Sequence, residues 1–247
     1  MSLTMTLAVA LRMLRQLRRD PRTLVMLLVV PSFILTLLYW VFYSSPAKFQ
    51  HIGGPLTGVF PFTLMFIVTS ISMLRERMGG TLERMMSLPL GKLDLLAGYA
   101  IAFGIVGVVQ VLVTSMVSFG MLDVPNAGAM WLVIVLAIGN ALVGMSLGLL
   151  ASAFARTEFQ AVQFMPAIVF PQLVLCGMLA PPSSMPTWLD NIAHALPMTY
   201  AWDALSRVVT QGEGLGSGDV RLDVAVIAGT IIAALILGAA TLKRRSV

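Results

Sequence analysis

From about residue 96 to residue 122 the chain carries no Asp, Glu, Lys or Arg, and five further stretches are as apolar or nearly so: 24–43, 57–74, 130–154, 161–180 and 222–242. Roughly 20 apolar residues make a helix long enough to cross a hydrocarbon layer of about 30 Å. A helix also satisfies its own N–H and C=O groups, which such a layer requires. Composition agrees: 58% of residues are hydrophobic and 11% charged, too little charge to cover a soluble domain. The expected fold is all-α and integral to a membrane, with six transmembrane helices in one domain spanning 1–247.

Residues 3–19 differ from the six. Leu3, Leu7, Ala10, Leu11, Leu14 and Leu17 share one helical face, and Arg12, Arg15, Arg18 and Arg19 lie mostly off it. That pattern predicts an amphipathic interfacial helix, ended by Asp20-Pro21 and read as retained rather than as a cleaved leader. Six spans put both termini on one side, together with Arg12, Arg15, Arg18, Arg19, Arg22, Arg75, Arg77, Arg84, Lys92, Arg156, Lys243, Arg244 and Arg245; the other side holds Lys48, Arg207 and Arg221. Thirteen against three makes the first side cytoplasmic. The basic excess is therefore a topology signal, and nucleic acid is not expected as a partner. Gly144-x-x-x-Gly148 permits close helix packing, and Pro166 with Pro171 predicts a bent fifth helix.

Residues 75–95 form the most charged loop, with Arg75, Glu76, Arg77, Glu83 and Arg84 inside ten positions. Gly79-Gly80 predicts a bend, Thr81 a helix cap and Glu83 a place in the first turn, where the helix dipole favours an anion. Leu82, Met85, Met86 and Pro89 would form an apolar ridge for a partner's groove; the alternative reading is an ordinary solvated loop with an interfacial helix. The run Arg75-Glu76-Arg77-Met78-Gly79-Gly80-Thr81-Leu82-Glu83-Arg84-Met85 with Pro89 resembles the segment after the second span in permeases of type-2 ABC exporters, the drug-resistance, polysaccharide and lipid export permeases. Their pattern is Glu-Arg-Glu-x-Gly-Thr-Leu-Glu-x-Leu and a later proline. Glu76, Arg77, Gly80, Thr81, Leu82, Glu83 and Pro89 match; Met78 replaces an acidic or polar residue and Met85 a leucine. The basic amino-terminal helix and Met185-Pro186-x-Trp188-Leu189 with Leu196-Pro197-Met198-Thr199-Tyr200 fit the same layout. The resemblance implies that Glu76, Arg77, Gly80, Thr81, Leu82, Glu83, Met85 and Pro89 couple the chain to cytoplasmic ABC ATPase subunits. It also implies a second permease copy or paralogue.

Between spans five and six, residues 181–208 carry two helical patterns too short to cross, expected as a re-entrant outer pair. Trp188 and Tyr200 suit the interface, and Asp203 and Arg207 are spaced to pair; these four are the expected outer gate. Gln163, Phe164, Pro166, Phe170 and Gln172 are the candidates for lining a substrate path. Gln110 and Asn140 are read as interhelical hydrogen-bonding groups. No phosphate-binding loop is present, Gly91-Lys92 lacking its flanking residues, so ATP would be bound by the partner and the chain needs no cofactor of its own. Catalytic and metal-binding clusters are not expected, and no Asp, Glu, Lys or Arg lies mid-span, which disfavours an ion-coupled carrier. Cys176 is read as a small buried hydrophobe. The expected protein is a multi-pass subunit of the cell's inner (plasma) membrane, in contact with membrane lipids. Its expected work is export of an amphipathic drug-like or lipid-like substrate. Glycan export, or a non-transporting scaffold that recruits a cytoplasmic partner, uses the same features.

Overall fold

The Asp20-Pro21 step separates two helices as its chemistry dictates. In the computed structural model, which describes residues 3–87 and 91–241, α1 (Leu3–Arg18) ends just before Asp20 and α2 (Pro21–Val41) starts just after it. Asp20 accepts hydrogen bonds from the Thr23 backbone N–H at 3.3 Å and its hydroxyl at 2.6 Å, which hold its carboxyl below the usual range. Pro21 at the first helical position loses nothing, since that N–H has no helical partner.

A helix absent from the sequence expectations follows, α3 (Pro46–Gly53), with Phe49 buried edge-on to Tyr39. Next come α4 (Leu56–Met78), the short α5 (Thr81–Met86) and α6 (Lys92–Ser115), which a π turn extends to Met121. After α7 (Met130–Ala151), the stretch expected as span 161–180 is a broken run. It comprises α8 (Glu158–Phe164), a π turn over Met165–Val169 and α9 (Phe170–Leu175). Pro166 and Pro171 lack an N–H and their rings crowd the preceding turn, so the ladder widens into π geometry. The run stops at Leu175 because Gly177, at φ +103°, turns the chain away. A 3₁₀ turn (Pro182–Ser184), α10 (Thr187–Ala195), α11 (Pro197–Ser206) and a π turn (Arg207–Gln211) lead to α12 (Gly218–Thr241). No strand occurs among the described residues. Among the described residues, five helices are long and apolar enough to cross a membrane: α2, α4, α6 with its π extension, α7 and α12.

The centre of the bundle is α4 against α7. A Cβ on Gly144 would strike the Phe62 carbonyl, and one on Gly148 would strike Thr69 Oγ1 and the Phe66 carbonyl. The predicted small-residue motif is therefore the contact itself. Thr69 donates to the Met65 carbonyl and reaches the Met145 carbonyl at 3.2 Å, and Asn140 Nδ2 donates to the Gly58 carbonyl at 3.0 Å. Asn140 thus joins two helices, as its place in an apolar run predicts. Gln110 is buried but its amide has no hydrogen-bond partner among the described residues.

α1 buries only part of the apolar face read in its sequence. Thr6, Val9, Ala10, Met13 and Leu17 are buried, whereas Leu3, Leu7 and Leu11 are about half or more exposed. The buried side docks on α6, where Gly98 leaves room for Val9: a Cβ there would lie 2.6 Å from Val9 Cβ. Leu3, Leu7 and Leu11 face outward with the apolar surfaces of α2 and α12, as suits a helix seated in a lipid interface.

Candidate functional site

α4 ends in Arg75-Glu76-Arg77, and the Gly79 N–H closes its last turn on the Arg75 carbonyl at 2.8 Å. Gly80 then takes φ +67°, a left-handed conformation that costs other residues roughly 1–2 kcal/mol, and α5 begins. Gly80 occupies the cap position and Thr81 is the first helical residue, so Thr81 is not the cap its sequence suggests. Glu83 lies in the first turn as expected. Leu82 is buried and Met85 partly so, both packed on the core of α1 and α6. Of the apolar ridge anticipated for a partner, Leu82 and Met85 are turned inward, and the Met86 side chain lies outside what the structure describes. Outward stand Met78, Glu83, Arg84 and Ser87. Pro89 and the basic residues Lys243, Arg244 and Arg245 lie outside the described residues.

Two ion pairs bind this segment to the bundle. Arg12 Nη2 donates to both oxygens of Glu76, at 2.8 and 2.9 Å, and Nη1 approaches Met85 Sδ at 2.8 Å. Glu76 is 4% exposed. Burial alone would lower the Arg12 pKa, but the hydrogen bonds and charge of Glu76 outweigh it and the net shift is upward. On the other side Arg75 grips Glu158 with Nε at 2.8 Å and Nη2 at 2.9 Å, a two-pronged bond whose geometry matches a guanidinium to a carboxylate. That grip holds the Glu158 carboxyl below its ordinary value. Glu158 opens α8, which Thr157 caps by accepting the Gln160 N–H. Neighbouring residues 75 and 76 are thus tied one to the broken helical run and one to α1. Arg77 is half-buried, with no hydrogen-bond partner for its Nε among the described residues.

The expected path residues are not brought together. Gln163, Pro166 and Phe170 are exposed, Phe164 packs beside Leu74 and Ala161, and Gln172 is buried and donates to the Ile168 carbonyl. A cavity of about 810 Å³ lies instead between α2, α3, α4 and the segment after α9, walled by Ile34, Leu38, Phe42, Val59, Phe60 and Leu179. It is apolar apart from Lys48 and His51.

At the other end of the bundle, Asp203 and Arg207 pair at 2.8 Å as their spacing predicts. Arg207 also donates to Asp219 at 2.8 Å and lies 3.6 Å from Glu213, and these hydrogen bonds and charges, Asp203 foremost, raise its pKa. Thr199 donates to the Ala193 carbonyl at 2.6 Å, and Tyr200 to the His194 carbonyl at 2.7 Å, which folds α10 onto α11. Trp188 is 66% exposed, while Trp202 is buried. Thr199, Tyr200, Trp202, Asp203, Arg207 and Asp219 border a second cavity, of about 520 Å³, whose lining does not include Trp188. Cys176 is buried at its edge.

Sequence reasoning missed Glu158, Asp223 and Trp202 as site residues. Thr157-x-x-Gln160 before an apolar run is a helix-start signal that would have placed Glu158 at a helix entrance. Asp223, at the edge of an apparent span, is a buried carboxylate because α12 starts as early as Gly218.

Comparison with known proteins agrees with this architecture. The family model described as "ABC-2 type transporter" matches residues 4–209. ABC transporter G family member 20 of Dictyostelium discoideum is 28% identical over 205 residues, 82% of this chain and 28% of that protein. The probable multidrug ABC transporter permease YbhR of Escherichia coli (strain K12) is 29% identical over 153 residues, 61% of this chain and 41% of that one. The linearmycin resistance permease protein LnrN of Bacillus subtilis (strain 168) is 26% identical over 159 residues, 61% and 40% respectively. The matches cover less than half the length of these three relatives. With five membrane-crossing helices packed around one another and a family match over most of its length, the chain is a multi-pass membrane protein belonging to the ABC-2 type transporter family.

Proposed function

We propose that the chain is the transmembrane subunit of an ATP-driven exporter of the inner (plasma) membrane. It works with a second permease and with separate cytoplasmic ATPases, which bind the ATP and press on residues 75–95. The cargo is an amphipathic drug-like or lipid-like molecule. The observation that carries this reading is the double tie of the α4 end: Arg12–Glu76 and Arg75–Glu158. A push on exposed Glu83 and Arg84 enters α4 and reaches the broken run Glu158–Leu175 through a bond rather than through a flexible loop. That run has 18 residues, about 27 Å at helical rise, close to the hydrocarbon thickness, and serves as the fifth of six crossings. Both termini are then cytoplasmic, and residues 181–208 form the outer re-entrant lid. The large apolar cavity suits such cargo, and relatives named for multidrug and linearmycin resistance support it.

The test is ATP-dependent export by the reconstituted complex. Deleting Gly80–Glu83, or substituting Glu83→Arg, is expected to abolish transport while membrane insertion stays normal. Undiminished export by either variant would sink the coupling role.

A further inference from the structure

Asp223 has no evident reason to be where it is. It sits in α12, 3% exposed, where the charged start of the helix with Asp219 and Arg221 gives way to an apolar run, and its Oδ2 has no hydrogen-bond partner among the described residues. An unpaired carboxylate in such a place costs several kcal/mol, and ionisable groups kept within membrane helices mark sites of function. The residue nevertheless lines the cavity of about 520 Å³ beside Arg207. Asp203 and Asp219 line the same cavity, and Glu213 stands just behind Arg207. One guanidinium therefore faces four carboxylates, and the three that it touches leave nothing for Asp223.

We propose that this cavity is a binding site for an amphiphilic organic cation, whose ammonium group donates to Asp223 while its apolar body lies against Trp202 and Leu222 and extends toward the larger apolar cavity. An organic cation fits better than a metal ion on two counts. Trp202 supplies an aromatic ring, which attracts ammonium groups, and Leu222, Pro181 and Pro182 supply apolar wall for an alkyl chain. Among the described residues, no three His, Cys, Asp or Glu side chains are placed to hold a metal. The extension has a route. His51 lines both cavities, and the strand of chain from Cys176 to Leu179 borders the first with Cys176 and Gly177 and the second with Met178 and Leu179. The acidic cavity lies at the end of the bundle away from Glu76: Gly238, near the far end of α12, approaches Leu96 at the start of α6. A cation bound there is outside the α5 region.

The proposal goes beyond export and does not rest on it, since the chain alone should bind. Equilibrium dialysis of the full chain in phosphatidylcholine nanodiscs, corrected with empty nanodiscs, would compare n-hexylammonium with n-hexanol. Saturable binding of the ammonium is expected, about tenfold or more tighter than the alcohol, as a charge-assisted hydrogen bond provides. Asp223→Asn should erase the preference, and Asp123→Asn, which does not line the cavity, should keep it. Should Asp223→Asn fail to fold, Asp219→Asn at the exposed rim is expected to weaken the ammonium about threefold by removing one of the attracting charges. Equal affinity for the two probes, a preference that survives Asp223→Asn, no loss in Asp219→Asn, or no saturable binding would each overturn it. Loss of export with binding intact would count against the transport reading alone.

Discussion

The two ends of the bundle handle charge in opposite ways. Near Gly79, each carboxylate with an arginine has one to itself: Glu76 has Arg12 and Glu158 has Arg75. Near Trp202, Arg207 is divided among Asp203, Glu213 and Asp219, and Asp223 is left over. Matched pairs fasten helices together and leave little to offer a ligand. An excess of carboxylates fastens poorly and attracts cations. On the two proposals above, one end transmits force and the other receives a charged group.

The contrast can be broken most readily at Glu76. Glu76→Lys buries a second cation against Arg12 and should destabilise the chain by about 3–5 kcal/mol, measured as denaturant unfolding in micelles. Asp203→Lys, at a side chain 47% exposed, should cost no more than about 1 kcal/mol. Comparable losses at the two positions would erase the distinction. Next, Arg12→Glu combined with Glu76→Arg should recover about 1–2 kcal/mol relative to the sum of the single changes, since neighbours that share a bond are non-additive. Additivity would mean that the pair does not hold α1 to α4.

The Arg75–Glu158 pair sharpens the comparison because stability and transport should separate there. Both side chains are about half exposed, so a double-mutant cycle should give about 0.2–1 kcal/mol, yet Glu158→Arg should cut ATP-driven export severely. Export that falls only in proportion to stability would show the tie to be passive. The smallest effect is on pH. The Glu158 pKa in the fold is below its ordinary 4.5, so the pair's contribution is complete above about that value and is lost as the pH falls through the lower, folded one. Unfolding followed downward from pH 5 should show a slight destabilisation that Glu158→Gln lacks.

What could be read in the residues follows from what a membrane demands. Five crossing helices appear where the apolar runs put them, since nothing else satisfies a backbone in hydrocarbon. Gly144 and Gly148 proved to be the α4–α7 contact because only a missing side chain allows that approach. The buried face of α1 was not readable. Leu3, Leu7 and Leu11 read as the membrane-facing stripe of an interfacial helix and are exposed, but lipid is as apolar as a core, so hydrophobic periodicity does not mark the side that docks on α6. The ion pairs were equally hidden, joining residues 64 and 83 positions apart. Nor does any local pattern reveal which walls enclose a cavity: the polar and aromatic residues proposed from the bent run point elsewhere, and α2 and α3 supply much of the lining.

One rod has both ends in play. α4 has 23 residues and so a length of about 34 Å. Its first turn abuts Leu205, beside the Arg207 cluster, through Gly58, with Gly54 just before the helix against Val209, and its last turn holds Arg75 and Glu76. Gly144 and Gly148 grip it midway without slack, which makes that contact a fulcrum. By simple leverage, a tilt of about 5° swings each tip of so stiff a helix by about 1.5 Å in opposite senses. That is enough to lengthen a hydrogen bond beyond use at the far tip, so a small inward stroke at one surface can unlatch contacts at the other without any helix having to unwind.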